Sequence, residues 1–319
     1  MMRFLYILSI TILLCSCNNT PTHIPTLVSQ CKDIPVGRAS AIAWGVGGKG
    51  YVLGGRDSAN ILHNDLWEYN PITDSWQNLG ETPLMPRVNG VACVANGTVY
   101  VGLGFHQSIY QSPSYLQDWW EYDPIDNTWN KLPDYPNQNT VKPNVYVQEN
   151  KIYCVHGFGV GFTADIVVFD ITSNQWSCIK RPHYIDRACM AGTGAMLQNR
   201  CYYGTGYNTK NLNYWYEIDF NGKWIKRANV PGKRQMATCV ATNKYIYLAG
   251  GRKFGGTLTD GKIYNDILRY DIHNDLWTYA GTTQSPAENC FGFTIDGVAY
   301  IGGGECDTHT LNTLYKIED

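Results

Sequence analysis

Arginine recurs at comparable places along this 319-residue chain. Arg38, Arg87, Arg187 and Arg234 each stand just before an apolar run, with Lys142 one position early in the same rhythm and Glu288-Asn289 in its last cycle. Guanidinium groups gathered on one rim would capture a carboxylate, a sulfate or an acidic peptide through paired N–H···O bonds. The recurrence equally suits a structural role, each arginine bonding carbonyls of its own scaffold. A less repetitive set directly follows glycine pairs: Arg56, Arg252 and Glu305. Because these three break the pattern, they say more about a ligand. "ECDTH", residues 305–309, gathers Glu, Cys, Asp and His in one stretch, with His106 and His156 at corresponding points elsewhere. No ligand pair with a recognised metal spacing accompanies it, so the reading assigns no metal and no cofactor. A nucleophile elbow, a GxGxxG opening a helix and a paired-carboxylate signature are all missing.

The elements that position these residues repeat. "YVLGG" ending at Gly55 returns as "YVGLG" at Gly104, "YCVHG" at Gly157, "YYGTG" at Gly206, "YLAGG" at Gly251 and "YIGGG" at Gly304, at separations of 49, 53, 49, 45 and 53 residues. A second phrase follows each: "NDLWEYNPITDSW" to Trp76, "QDWWEYDPIDNTW" to Trp129, "ADIVVFDITSNQW" to Trp176 and "NDILRYDIHNDLW" to Trp277, with seven residues from aromatic to tryptophan in all four. The fourth copy, "NYWYEIDFNGKW" to Trp224, has Ile218 in the tyrosine slot. A fixed period of this size means stacked units, each too small to bury its faces alone.

The glycine pair after apolar residues and the spaced Tyr and Trp resemble the kelch family over nearly the whole chain. That resemblance implies an all-β fold: a six-bladed kelch β-propeller with four antiparallel strands per blade. The aromatics then read as packing between blades and the glycines as points of close backbone approach. The sixth unit ends at "NTLYKIED", one strand short. Trp76 precedes Arg87 by 11 residues, and 11 before Arg38 lies Leu27. The segment opening "LVSQCKDIPVGR" is therefore expected to pair into blade six and close the ring.

"MMRFLYILSITILLCSC" has a basic start and an apolar run too short to span a membrane, as a signal peptide does. Leu14-Cys15-Ser16-Cys17 resembles a bacterial lipobox, which implies lipidation of Cys17. The expected organisation is a lipoprotein signal peptide (1–17), a tether (18–26) and a single propeller (27–319). The expected location is the bacterial envelope, anchored in the outer membrane and facing the periplasm. Nine cysteines follow Cys17, most inside apolar runs, and read as small buried hydrophobes. With 25 basic against 27 acidic residues there is no field to attract nucleic acid, and the chain is expected to be a monomer.

Loops after the glycine pairs vary while the scaffold repeats, so the binding face is placed there. The candidate set is Arg38, Arg56, Arg87, His106, Arg187, Tyr207, Arg234, Arg252 and Glu305, with Phe105, Tyr110, Tyr115, Tyr207 and Phe254 as platforms for sugar rings. The long loops of blades two and five are expected to wall a cleft. The favoured reading is a non-catalytic, lipid-anchored module presenting this face to a glycan or a protein. The alternative comes from a resemblance to exported bacterial kelch proteins that interconvert sialic acid anomers. Their activity is associated with a Glu and an Arg in the blade-four loop, where this chain has Tyr207 and Asn211. The kelch propeller is also that of galactose oxidase, but six blades and no Tyr-His dipeptide argue against a copper enzyme.

Overall fold

The computed structural model describes residues 26–107, 114–137, 140–159, 161–162, 165–179, 189–220, 223–256 and 260–319. The signal segment, Cys17, Tyr110 and Arg187 lie outside them.

Six four-stranded antiparallel sheets follow one another along the chain. Blade one is built of Ile42–Val46, Lys49–Leu53, Asp65–Asn70 and Ser75–Glu81. Blades two to five repeat it, and their inner strands begin at Val91, Asn144, Thr193 and Thr238. The inner hairpins are tight because the turn residues accept left-handed backbone: Asn96-Gly97 and Asp296-Gly297 both have positive φ, as a type I′ turn requires. Blade six has Phe291–Ile295, Val298–Gly302 and Leu314–Glu318, and its fourth strand is Leu27–Cys31, paired from Leu27↔Glu318 to Cys31↔Leu314. The ring closes where the strand count said it would.

Closure buries what single sheets cannot. The apolar core divides into six clusters, one at each junction between neighbouring blades. The junction of blades six and one holds Val52 and Tyr69 against Phe291, Phe293 and Leu314. Backbones meet so closely here that a Cβ on Gly45 would lie 1.8 Å from the Thr294 carbonyl oxygen.

The repeated Tyr and Trp are clamps. In blade one the Trp76 indole N–H donates to the Lys32 carbonyl at 2.8 Å, while Asp74 accepts from the Lys32 amide at 2.8 Å and from the Tyr69 hydroxyl at 2.7 Å. Blade five grips Ala228 in the same way through Trp277, Asp275 and Tyr270. Each set holds both backbone groups of one residue in the preceding blade's outer edge.

A second device circles the axis. Ser40, Asn89, Lys142, Ala191, Met236 and Asn289 all sit at left-handed φ. Their backbones are linked blade to blade: Ser40 donates to Asn289, Asn89 to Ser40, Lys142 to Asn89, Met236 to Ala191 and Asn289 to Met236, at 2.9–3.0 Å.

Candidate functional site

Three of the recurring arginines, Arg38, Arg87 and Arg234, belong to the scaffold. Arg87 is 1% exposed and grips Asp118 with both terminal nitrogens at 2.7 Å, while its Nη1 also reaches the Leu103 carbonyl. Arg38 holds Asp65 and the Gly54 carbonyl in the same way, and Arg234 holds Asp266 and the Gly250 carbonyl beneath the Tyr264 ring. Each pair ties a blade's entry segment to the start of its third strand. Their guanidinium groups are sealed and engaged, so the expectation that Arg38, Arg87 and Arg234 crown a ligand channel is corrected.

The register is corrected as well. The arginine slot lies 17 residues before the final glycine, which puts Thr140, Cys189 and Ala287 there in blades three, four and six. Lys142 lies two residues further on, in the axial ring.

The pattern-breaking residues converge instead. A cavity of about 440 Å³ opens on the loop face across blades four, five, six and one, within the roughly 300–1,000 Å³ usual for ligand pockets. Arg56, Tyr207, Arg252 and Glu305 of the sequence-derived set line it. Each is held by a two-residue bridge to its blade's entry segment: Arg56 to Ala39, Tyr207 to Met190, Arg252 to Gln235 and Glu305 to Glu288. His106 lies elsewhere, its Nδ1 donating to the Pro86 carbonyl at 2.7 Å. Phe105 packs edge-on against Tyr115, and neither lines the cavity. The blade-five loop walls it through Phe254, whereas none of the described residues of the blade-two loop lines it.

The candidate set left out Gln235, Glu288 and Asp307, which also line the wall. A signal existed: the position after the arginine slot is Ala39, Val88, Val141 and Met190 in four blades, but Gln235 and Glu288 in the other two.

Arg252, 5% exposed, donates from Nε to Glu288 Oε1 at 2.8 Å and from Nη2 to Asp307 at 2.6 Å. Arg56 pairs with Glu305, whose other oxygen accepts from Asn289 Nδ2 at 3.0 Å. Three buried polar atoms around the cavity lack a partner: Arg252 Nη1, Glu288 Oε2 and Gln235 Oε1. One donor and two acceptors are thus buried beside the cavity without a protein partner, and unpaired buried groups of this kind are rare and costly. Burial pushes the Glu288 carboxyl above its ordinary value, against the pull of Arg252. Tyr207 and Phe254, edge to face with centroids 5.5 Å apart, and Met190 and Met236 supply the apolar wall. At the rim, burial acts to raise the Cys306 thiol, but hydrogen bonds from Thr308 and from backbone amides outweigh it and hold the thiol below its usual value. His309 Nδ1 lies 3.3 Å from the same sulfur. Among the described residues no three His, Cys, Asp or Glu side chains converge as metal ligands. The nine later cysteines form no disulfide.

This fold and these repeats define a kelch-repeat β-propeller. Residues 11–144 match the KLHDC2/KLHL20/DRC7 Kelch-repeats domain and residues 233–284 the Kelch motif. The chain is homologous to both kelch-like proteins and N-acetylneuraminate epimerases. It is 25% identical over 256 residues to Kelch-like protein 25 of Xenopus tropicalis, covering 77% of this chain but 41% of that protein, so it spans about two fifths of such relatives. It is 22% identical over 348 residues to the N-acetylneuraminate epimerase of Haemophilus influenzae (strain 86-028NP), covering 89% of this chain and 90% of that one. Among solved structures, one titled "Structure of YjhT" superposes with a TM-score of 0.74 at 17% identity, over 91% of this chain and 99% of that one, a likeness of fold. Among the described residues no helix is long and apolar enough to cross a membrane.

Proposed function

We propose that the loop-face cavity binds one sugar residue of a glycan. The observation that carries this reading is the set of three buried, unpartnered polar atoms, Arg252 Nη1, Glu288 Oε2 and Gln235 Oε1, around a cavity with an aromatic wall. A sugar offers vicinal hydroxyls that accept from the guanidinium and donate to the two oxygens, while a C–H face of its ring lies on Tyr207 and Phe254. The cavity lining carries Arg56 and Arg252 against Glu288, Glu305 and Asp307, so its charges nearly cancel and a hydroxyl-rich group suits it. In this reading the propeller is exported and held at the membrane by lipid on Cys17, which leaves the loop face free to meet its ligand.

A second reading is that the cavity also catalyses anomer exchange. Glu288, whose carboxyl burial raises above its ordinary value so that it holds a proton more readily, favours it, as do the relatives named N-acetylneuraminate epimerase. The blade-four loop supplies no acid. Asn211 there is an amide clamp, its Oδ1 accepting from the Phe254 amide and its Nδ2 donating to the Phe254 carbonyl, each at 2.8 Å.

Saturation-transfer and exchange NMR of the purified propeller against a sugar panel that includes N-acetylneuraminic acid tests both. Transfer to a sugar without faster anomer exchange supports the binding module. Transfer with faster exchange supports the epimerase reading. Silence across the panel contradicts both and redirects the search to a protein partner.

A further inference from the structure

Beyond the Tyr207 and Phe254 wall lies a second depression, a groove of about 330 Å³. Both aromatics line it as well, so the two spaces share one partition. Lys210, Lys233 and Lys253 line the groove with Asn211 and Gly255. They come from the blade-four loop, the blade-five entry segment and the blade-five hairpin, so the fold gathers them rather than a local run of sequence.

Two independent observations mark this cluster. First, all three lysines are exposed, and none takes part in an ion pair among the described residues. Second, Lys253 stands directly opposite Lys262 in the ladder that pairs Arg252–Phe254 with Gly261–Ile263. Like charges facing each other across strands destabilise a hairpin, so this element carries a cost that a bound anion would relieve. Asp260 lies beside Gly255, and no acidic residue is among the described residues that line the groove. A chain with a formal net charge of −2 thus concentrates three lysines next to a cavity whose own charges nearly cancel. The Asn211 clamp fixes the blade-four loop to the hairpin and so holds the groove open beside the cavity.

We propose that the groove is an anion subsite, and that the ligand is an acidic oligosaccharide with one sugar in the cavity and the carboxylate of a neighbouring sugar on Lys210, Lys233 and Lys253. This rests on the sugar-binding reading above and names its ligand class. The partition residues would stand at the glycosidic linkage, and the lysines would add affinity that falls with ionic strength.

The test is calorimetric titration of the full propeller with two acidic trisaccharides, trigalacturonic acid and α2,8-linked trisialic acid, each beside its methyl ester. The esters keep the sugars and remove the charge. One acid is expected to bind at least tenfold tighter than its ester at 25 mM salt, with most of that margin lost at 300 mM. In Lys210→Gln/Lys233→Gln/Lys253→Gln the margin is expected to shrink to about twofold with ester binding unchanged. The salt series on the unaltered protein stands whether or not the variant behaves. Equal binding of acid and ester overturns the subsite and leaves the cavity reading intact. No binding of either form removes both readings. A penta-glutamate peptide that displaces the acid at equal concentration would assign the lysines to an acidic protein and overturn the proposal.

Discussion

Arg56 of blade one is ion-paired with Glu305 of blade six, 249 residues away along the chain, and the pair forms the cavity wall at the seam where the ring closes. Glu305 thus competes with any anionic group of a ligand for Arg56. Glu305→Gln keeps the side chain's shape and its hydrogen bonding while removing a charge that, at a few ångströms and an effective dielectric near 20, is worth on the order of 2 kcal/mol before salt screening. Affinity for a carboxylated sugar is expected to rise severalfold in this variant and affinity for a neutral sugar to hold, as read by titration at low salt.

Glu288 introduces a pH dependence whose sign follows from its surroundings. Burial raises its carboxyl above the ordinary 4.5, Arg252 opposes this, and Glu305 and Asp307 add to the rise. The folded chain therefore takes this proton more readily than the unfolded chain does. The stability it contributes is fully present below the unfolded value and is lost as pH rises through the folded value. Subtracting the melting-temperature profile of Glu288→Gln from that of the wild type should show this loss beginning above pH 4.5. Carboxylated sugars should bind more tightly as pH falls through the same window.

Thiol chemistry should separate the cavity from the core. Burial pushes Cys154, Cys201, Cys239 and Cys290 up to about 12, whereas Cys306 is held below its usual value. Because the thiolate is the nucleophile, site-resolved mass spectrometry of a brief native-state alkylation should find Cys306 modified and those four intact. A sugar that fills the cavity should slow the reaction at Cys306.

The buried Arg87–Asp118 pair predicts a structural defect that leaves the cavity chemistry intact. Burial raises the Asp118 carboxyl, but hydrogen bonds and charge from Arg87 more than reverse this and hold it below the ordinary carboxylate range. Asp118→Asn leaves a sealed guanidinium short of its counter-charge, at a cost of about 3 kcal/mol near neutral pH. A depressed carboxyl stabilises above its unfolded pKa and loses that contribution as pH falls through the folded one. The gap between variant and wild type in denaturant midpoint should therefore close in strong acid.

The architecture was legible because it is written six times over. The glycine-to-glycine period, the Tyr-to-Trp spacing and the missing last strand specified six blades and the docking of Leu27–Cys31 onto Leu314–Glu318. The lining of the candidate cavity was legible only where residues broke the repeat, as Arg56, Arg252 and Glu305 do. Residues that kept the repeat were misread. Arg38, Arg87 and Arg234 recur because Asp65, Asp118 and Asp266 recur some thirty residues later, a pairing across two strands that no local window reveals. The axial ring from Ser40 to Asn289 is linked through backbone groups, so its residues share a conformation rather than a single side-chain type.

The most direct measurement of the central claim uses Gln235→Leu. Gln235 is buried and lines the cavity, and its Oε1 has no hydrogen-bond partner. Replacing that oxygen with an apolar group of similar size removes an unsatisfied atom, so the folded propeller should melt at the same temperature or higher. The sugar that gives the strongest saturation transfer with the wild type should bind this variant about tenfold more weakly, the loss of one buried hydrogen bond of roughly 1.4 kcal/mol. Unchanged affinity in a stably folded Gln235→Leu protein would contradict the account and place the ligand elsewhere on the propeller.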